Sequence, residues 1–172
     1  MADRIRLGIL GGGRIVQRRI LPAMQYVQEA ELVAIASQRR GVAQELANGF
    51  PVSKSLESYE DLLKDPDIDA VYIPASGDAH HRWTVAAAEA GKHVLCEKPL
   101  APTLQEAEEM VRVCEDANVI LHEAFMWRHH PRALKLRELV QSGQIGELRL
   151  VNVSFSFDID RSDWRLDPAR GG

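Results

Sequence analysis

The chain has 172 residues, of which 45% are hydrophobic, enough for one ordinary domain and the start of a second. A net charge of −4 and a pI near 5.9 give no reason to expect nucleic acid or an anionic membrane as partner. Without a signal-peptide pattern or a run long enough to span a membrane, a cytoplasmic protein is expected. Cys96 and Cys114 lie in apolar patterns, which predicts buried free thiols in a reducing compartment, and no metal site is expected.

Strand and helix signals alternate through the first two-thirds of the chain. Short apolar runs predict five strands, at 5–10, 31–36, 70–73, 93–96 and 119–124. Helical spacing predicts helices between them, at 14–25, 41–48, 59–63, 79–90 and 104–117. Continuous apolar strands separated by helices indicate a parallel sheet that is covered on both faces. We therefore predict an α/β fold, with a doubly wound Rossmann sheet over residues 1–125.

The pattern changes after residue 125. One more helix is predicted at 132–141, and the apolar residues of 147–158 then alternate with polar ones. Alternation is typical of a half-exposed antiparallel strand, so a second sheet of a different kind is expected to begin there. Because a single strand can neither pair its edges nor bury its face, 126–172 is interpreted as a linker helix and the truncated start of an α+β domain.

A glycine-rich loop joins the first strand to the first helix. Gly11 and Gly13 match the first two glycines of the dinucleotide fingerprint, which permit a tight turn and close approach to a pyrophosphate. Arg14 and Ile15 open the helix whose N-terminus would stabilise that pyrophosphate. Val16 stands where glycine or alanine is usual, which predicts looser helix–strand packing or a shifted phosphate.

The end of the second strand predicts which dinucleotide binds. An acidic residue there would accept a hydrogen bond from the ribose 2′-hydroxyl of NAD, but this chain has Ser37, Gln38 and Arg39. A hydroxyl followed by arginine suits a 2′-phosphate, because arginine makes charge-assisted hydrogen bonds to phosphate. NADP is therefore favoured as the cofactor, with NAD as the alternative.

The fourth predicted strand in the chain, 93–96, leads directly into Glu97-Lys98-Pro99. The carboxyl ends of parallel strands form the edge at which open α/β sheets bind ligands. A lysine at that edge can hold a substrate oxygen or act as an acid–base group.

Taken together, the glycine loop, Glu97-Lys98-Pro99 and the alternating segment resemble the Gfo/Idh/MocA family of oxidoreductases. The resemblance covers nearly the whole chain and includes the segments 58–63, 67–74, 80–84 and 89–94. The segment 123–131, with sequence EAFMWRHHP, is similar to the branch that contains NADP-dependent D-xylose dehydrogenases and dihydrodiol dehydrogenases.

The resemblance implies roles for individual residues. Lys98 would lie beside the nicotinamide and the reacting hydroxyl, and Glu97 near the nicotinamide ribose. His80 matches the histidine of the loop after the 70–73 strand, although Ser76-Gly77 replaces the usual Pro-Asn. The remaining residues that the resemblance assigns to the cofactor are Ser76, Arg128, Trp164 and Arg165.

The resemblance also implies a reaction. That reaction is hydride transfer between a nicotinamide cofactor and a sugar, polyol or diol. Further proton-transfer residues are expected beyond residue 172. The second domain is expected to serve substrate binding and oligomerisation, with homo-oligomers that form through its sheet. Two alternatives remain open on the sequence. One is a nucleotide-binding regulator without turnover, and the other is a glycosidase that holds NAD tightly.

Overall fold

A computed structural model describes residues 4–163 and 166–167 of the chain. Within this part, six parallel strands form one sheet in the order β3-β2-β1-β4-β5-β6. The strands are β1 Ile5–Leu10, β2 Ala30–Ala36, β3 Lys54–Leu56, β4 Ala70–Ile73, β5 His93–Glu97 and β6 Leu121–Ala124. The predicted parallel doubly wound sheet is confirmed. Only the three-residue edge strand β3 was not predicted, because the sequence Lys-Ser-Leu has no apolar run.

The helices lie where periodicity predicts them. They are a π-helical segment Val16–Ile20 that continues as α1 Leu21–Met24, α2 Val42–Gly49, α3 Tyr59–Lys64, α4 Gly77–Glu89, α5 Leu104–Asp116, a 3-10 turn Met126–His129 and α6 Pro131–Gln141. Thr103 caps α5, since its hydroxyl accepts a hydrogen bond from the backbone N–H of Glu106 at 3.3 Å. Gly91 ends α4 with φ of 72°, a conformation that favours glycine.

Apolar residues cover both faces of the sheet. Alternate residues of each strand point to opposite faces. On one face, Leu10 and Val71 pack with side chains from α3, α4 and α5. On the other, Ile9 and Tyr72 pack with Val16 and with side chains from α1 and α2. This two-sided core leaves the ends of the strands as the places where polar groups collect.

Paired charges close the amino end of the sheet. The Arg6 guanidinium donates to both carboxylate oxygens of Asp69, at 2.7 and 3.0 Å. Lys54 Nζ donates to Asp65 at 2.7 Å and to Asp67 at 2.8 Å. The hydrogen bond from Arg6 lowers the pKa of Asp69, and the bond from Lys54 lowers the pKa of Asp65. These carboxylates therefore have their partners within the protein.

Lys92, at the start of β5, belongs to the same end of the sheet. Its side chain is buried, and its ammonium donates to the carbonyl oxygens of Asp65 and Ile68, both at 2.8 Å. Burial lowers the pKa of Lys92, while Asp65 and Asp69 oppose that shift. Lys92 thus holds the turn between α3 and β4.

The segment that follows α6 differs from the sheet. Between 147 and 160 the structure has no strand, and Leu150, Val153 and Phe155 are 77%, 82% and 86% exposed. The predicted strand at 147–158 is therefore not formed here. A strand needs a neighbour for its backbone hydrogen bonds, and no described strand lies beside this one.

Among the helices that the structure describes, none is both long and apolar enough to cross a membrane.

Candidate functional site

The carboxyl edge of the sheet gathers the predicted site residues, because loops that follow parallel strands emerge at the same edge. The loops after β1, β2, β4, β5 and β6 carry residues 11–15, 37–39, Ser76, 97–98 and Arg128, respectively. The topology thus brings together segments that are up to 117 residues apart in the chain (128 minus 11).

The glycine loop is shaped for close contact on one side and open space on the other. Gly11 has φ of +147°, which side-chain-bearing residues rarely adopt, and a Cβ there would lie 3.2 Å from Pro74. A Cβ on Gly12 would lie 2.6 Å from Val42 of α2. At Gly13, by contrast, no described atom lies within 4 Å of the Cβ position. The loop backbone is therefore tightly packed at Gly11 and Gly12 and accessible at Gly13, as the approach of a pyrophosphate requires.

The helix after this loop begins unusually. Val16 is completely buried against Ile9 and Ile35, so the helix–strand contact is filled and not loose. The backbone is π-helical from Val16 to Ile20, and this wider helical turn coincides with the valine that replaces glycine or alanine. Ile15 is partly buried against the same cluster, and Arg14 is exposed at the start of the helix, 3.4 Å from Asp163.

Arg39 lies against the glycine loop. Its guanidinium donates to the carbonyl oxygen of Gly12 at 3.0 Å, and its backbone N–H donates to the hydroxyl of Ser37 at 3.2 Å. Ser37 is buried at the end of β2, and Gln38 is exposed beside it. The residues predicted for a 2′-phosphate therefore form one contiguous group with the predicted pyrophosphate loop, and one of their hydrogen bonds fixes the arginine.

Tyr59 also reaches this group, although the sequence reading did not single it out as a site residue. Its hydroxyl lies 3.6 Å from the Cβ position of Gly11, and its ring meets Trp83 edge-on with centroids 4.8 Å apart. Burial raises the pKa of Tyr59, while the charge of Arg39 opposes the shift. Its presence in the family-like segment 58–63 was the available signal.

Glu97 is buried at the end of β5. The Tyr72 hydroxyl donates to its Oε1 at 2.8 Å, and the backbone N–H of Lys98 donates to its Oε2 at 3.2 Å. Burial, followed by the hydrogen bond to Glu97, raises the pKa of Tyr72 above its ordinary value. Tyr72 thus remains a protonated donor and fixes the carboxylate. No sequence pattern pairs these two residues.

Lys98 is exposed at the same edge. Its ammonium makes no hydrogen bond or ion pair with any residue in the described ranges 4–163 and 166–167. The peptide bond between Lys98 and Pro99 is cis. Two residues before Lys98, Cys96 is buried, and burial raises the pKa of its thiol to about 12. At this edge, the exposed amine of Lys98 is therefore a better candidate for chemistry than the neighbouring thiol.

His80 is placed differently from the prediction of a cofactor contact. Its side chain is 1% exposed, with Nδ1 at 2.8 Å from the Pro99 carbonyl oxygen and Nε2 at 3.0 Å from that of Ala75. Both ring nitrogens therefore face the protein backbone. Ser76 occupies the N-cap position of α4, and its hydroxyl makes no capping hydrogen bond.

The remaining predicted residues lie at the border of the site. Arg128 is exposed in the 3-10 turn after β6, where it lines an apolar groove with Trp127 and α6. Trp164 and Arg165 lie outside the described residues. The contact of Asp163 with Arg14 brings the residue just before them to the glycine loop.

Comparisons with known proteins agree with this geometry. Residues 5–125 match the sequence profile of the GFO/IDH/MocA oxidoreductase family with its NAD-binding Rossmann fold. Residues 133–172 match the profile of a GFO/IDH/MocA C-terminal domain. This second match begins after the Rossmann-domain match has ended at residue 125.

Three similar proteins illustrate the range of the family. A dTDP-3,4-didehydro-2,6-dideoxy-alpha-D-glucose 3-reductase from Saccharopolyspora spinosa is 43% identical over 100% of this chain and 52% of its own length. A D-xylose 1-dehydrogenase (NADP(+)) from Haloferax volcanii is 42% identical over 96% of this chain and 51% of its own. The solved 3-ketoreductase KijD10 from Actinomadura kijaniata, in complex with NADP and TDP-benzene, is 38% identical over 84% of this chain and 44% of its own, with a TM-score of 0.79.

The chain spans about half the length of the curated relatives it matches. The family match nevertheless covers the whole sheet and its carboxyl edge, including the glycine loop and Glu97-Lys98-Pro99. Fold and sequence similarity agree, and the chain belongs to the GFO/IDH/MocA family of oxidoreductases.

Proposed function

We propose that the protein is an NADP-preferring oxidoreductase that acts on a hydroxyl or ketone carbon of a sugar, polyol or diol. The observation that carries this proposal is the joint position of three groups at one edge of the sheet. These are the open glycine loop at Gly13, the Arg39 guanidinium on that loop, and the exposed amine of Lys98. When bound, the nicotinamide would supply the hydride chemistry.

The cofactor preference rests on the charge at the end of β2. Ser37, Gln38 and Arg39 follow that strand, so no carboxylate of these residues repels a 2′-phosphate. The guanidinium of Arg39 is already oriented by Gly12, which reduces the side-chain entropy that phosphate binding costs. The xylose dehydrogenase relative is named as NADP-dependent, and KijD10 was solved with NADP, which supports the same preference here.

The substrate side of the proposal rests on Lys98. We propose that the Lys98 ammonium binds the reacting oxygen of the substrate and takes part in transferring the proton of that hydroxyl. Glu97 is fixed by Tyr72 and by the Lys98 N–H, and so presents a rigid acceptor toward the nicotinamide ribose. Relatives named for a dTDP-sugar and for xylose support a carbohydrate substrate.

We also infer the organisation of the gene product. Residues 1–125 form the dinucleotide domain, and 126–172 begin a second domain. The exposed apolar side chains of Leu150, Val153 and Phe155 would be covered by the sheet of that domain, through which homo-oligomers form. The two buried free thiols support a cytoplasmic location. Analytical ultracentrifugation of the complete gene product tests the oligomer, and a strictly monomeric product would contradict it.

A substrate panel tests the activity. The complete gene product is mixed with aldoses, polyols and diols plus NADP, or with ketoses and keto sugars plus NADPH, and absorbance of the reduced nicotinamide is followed. We expect turnover with at least one sugar class and a higher kcat/KM with NADP than with NAD. Binding of NADP with no turnover across the panel would favour the nucleotide-binding regulator. Protein that retains NAD through purification would favour the glycosidase.

A further inference from the structure

The lysine at the centre of the proposed function is held only through its backbone. Its side chain has no partner among the described residues, yet the three polar backbone groups around it are each bound by a side chain. The Lys98 N–H donates to Glu97 at 3.2 Å, the Pro99 carbonyl lies 2.8 Å from His80 Nδ1, and the Leu100 N–H donates to Glu123 at 3.1 Å.

These three side chains come from different elements of the sheet domain. Glu97 ends β5, His80 lies in the first turn of α4, and Glu123 lies on β6, where it pairs in register with Cys96. The contacts of His80 and Glu123 hold the 99–100 backbone against α4 and β6, while the Glu97 hydrogen bond lies within the turn itself. A displacement of about 1 Å at a reacting group can cost about a hundredfold in rate, so fixing this backbone has a direct chemical consequence.

We infer that His80 and Glu123 are positioning residues, which act on the reaction by fixing the backbone that carries Lys98. The inference rests on the proposed function, because it requires that Lys98 bind the reacting oxygen. For His80, burial and the two carbonyl contacts favour this role over direct contact with a cofactor. For Glu123, the single bond to the Leu100 N–H defines the role, and its carboxylate is only partly buried.

The test uses Glu123, since a partly exposed side chain on an edge strand can be changed with little risk to folding. We expect Glu123→Ala to lower kcat about tenfold, with a smaller change in NADP affinity. Glu123→Gln keeps an oxygen that can accept from the Leu100 N–H, and should restore most of the loss. Amide hydrogen exchange on the 172-residue chain provides a readout independent of activity. Exchange at Leu100 should accelerate in Glu123→Ala and not in Glu123→Gln.

A double-mutant cycle with Lys98→Met separates positioning from general damage. If Glu123 acts through Lys98, then Glu123→Ala lowers kcat by less than about twofold in the Lys98→Met background. The inference is overturned if the two losses multiply in full, or if Glu123→Ala alone leaves kcat unchanged. If Lys98→Met itself leaves kcat unchanged, the role of Lys98 in the proposed function fails and the positioning role fails with it. His80→Phe, measured in the same cycle where it folds, should behave as Glu123→Ala does.

Discussion

Two lysines at opposite ends of strand β5 show how differently the two ends of the sheet are built. Lys92, just before the strand, is buried and donates to two carbonyl oxygens at 2.8 Å. Lys98, just after it, is exposed and its ammonium has no partner within the described part of the chain. The same residue type is thus used once to hold a turn and once as a group available to a ligand.

The surroundings of the two lysines extend this contrast. At the amino end, Arg6 and Lys54 are matched by the carboxylates of Asp69 and Asp65. At the carboxyl end, side chains contact the backbone around Lys98, but the Lys98 side chain itself faces solvent. Charges satisfied within the protein indicate a role in stability. Lys98 has no partner among the described residues and follows a strand at the same edge of the sheet as the glycine loop, and we propose that it binds a ligand. Substitutions at these groups test whether the two ends of the sheet differ in function.

The largest effect is expected at Lys98. Lys98→Met in the complete gene product should lower turnover about 10²- to 10⁴-fold, because it removes the group that we propose holds the substrate oxygen and shares its proton. Steady-state kinetics on the best substrate of the panel gives the measurement, and thermal denaturation shows whether the fold is kept. Lys64→Met, at a lysine with a 78% exposed side chain on α3, is the matched control. A loss equal in both variants would contradict a specific role for Lys98.

Lys92 should behave in the opposite way. Lys92→Met leaves the carbonyl oxygens of Asp65 and Ile68 without their donor and should lower the free energy of unfolding by about 2 kcal/mol. NADP affinity should stay unchanged, since the residue lies at the far end of the strand. Urea denaturation and a cofactor titration measure the two quantities on the same protein, again beside Lys64→Met. Unchanged stability, or weakened cofactor binding, would remove the distinction between the two ends.

Arg39 tests the cofactor side of the carboxyl edge. Arg39→Ala should weaken NADP binding about tenfold and leave NAD binding nearly unchanged, because only NADP carries the 2′-phosphate. Isothermal titration with both nucleotides gives the comparison. Arg40→Ala removes the same charge one residue away and should have a smaller effect. Equal losses from the two variants would point to general attraction by positive charge, and no loss of NADP affinity from Arg39→Ala would contradict the phosphate assignment.

The smallest effect concerns acid stability at the amino end. The hydrogen bond from Arg6 lowers the pKa of Asp69, so the unfolded chain takes up this proton at a higher pH than the folded one. The stabilisation from this pair is therefore complete above the ordinary aspartate pKa and is lost as pH falls below it. Asp69→Asn should be less stable near pH 7 and lose less stability between about pH 4 and pH 2. Urea midpoints across pH check this, with exposed Glu108→Gln as control.

Local signals in the sequence predicted most of the fold because each is decided by neighbouring residues. Apolar runs and helical spacing predicted five of the six strands and the helices that cover them. Thr103 followed by Glu106 three residues later is a sequence pattern typical of a helix start, and Thr103 is the residue that caps α5. The strand predicted at 147–158 was the exception, since alternation shows only that a segment can join a sheet. Whether it does depends on a neighbouring strand, which the described residues do not contain.

The partners of the site side chains were not predictable in the same way. Tyr72 and Glu97 are 25 residues apart and His80 and Pro99 are 19 apart, and no local pattern pairs them. Their contacts arise because strand order places β4, β5 and α4 side by side. His80 illustrates the consequence, since a motif match assigned it to the cofactor while packing turned both its nitrogens toward backbone carbonyls.

The doubly wound sheet, the glycine loop, the arginine at the end of β2 and the lysine at the end of β5 are all readable from the amino-acid sequence. These follow from periodicity and from the position of residues along single elements. The three-dimensional arrangement was needed to show that Lys92 has partners where Lys98 has none among the described residues, and which side chains contact the backbone around Lys98. Burial and hydrogen bonding between distant elements set those outcomes, and both depend on how strands and helices are arranged in space.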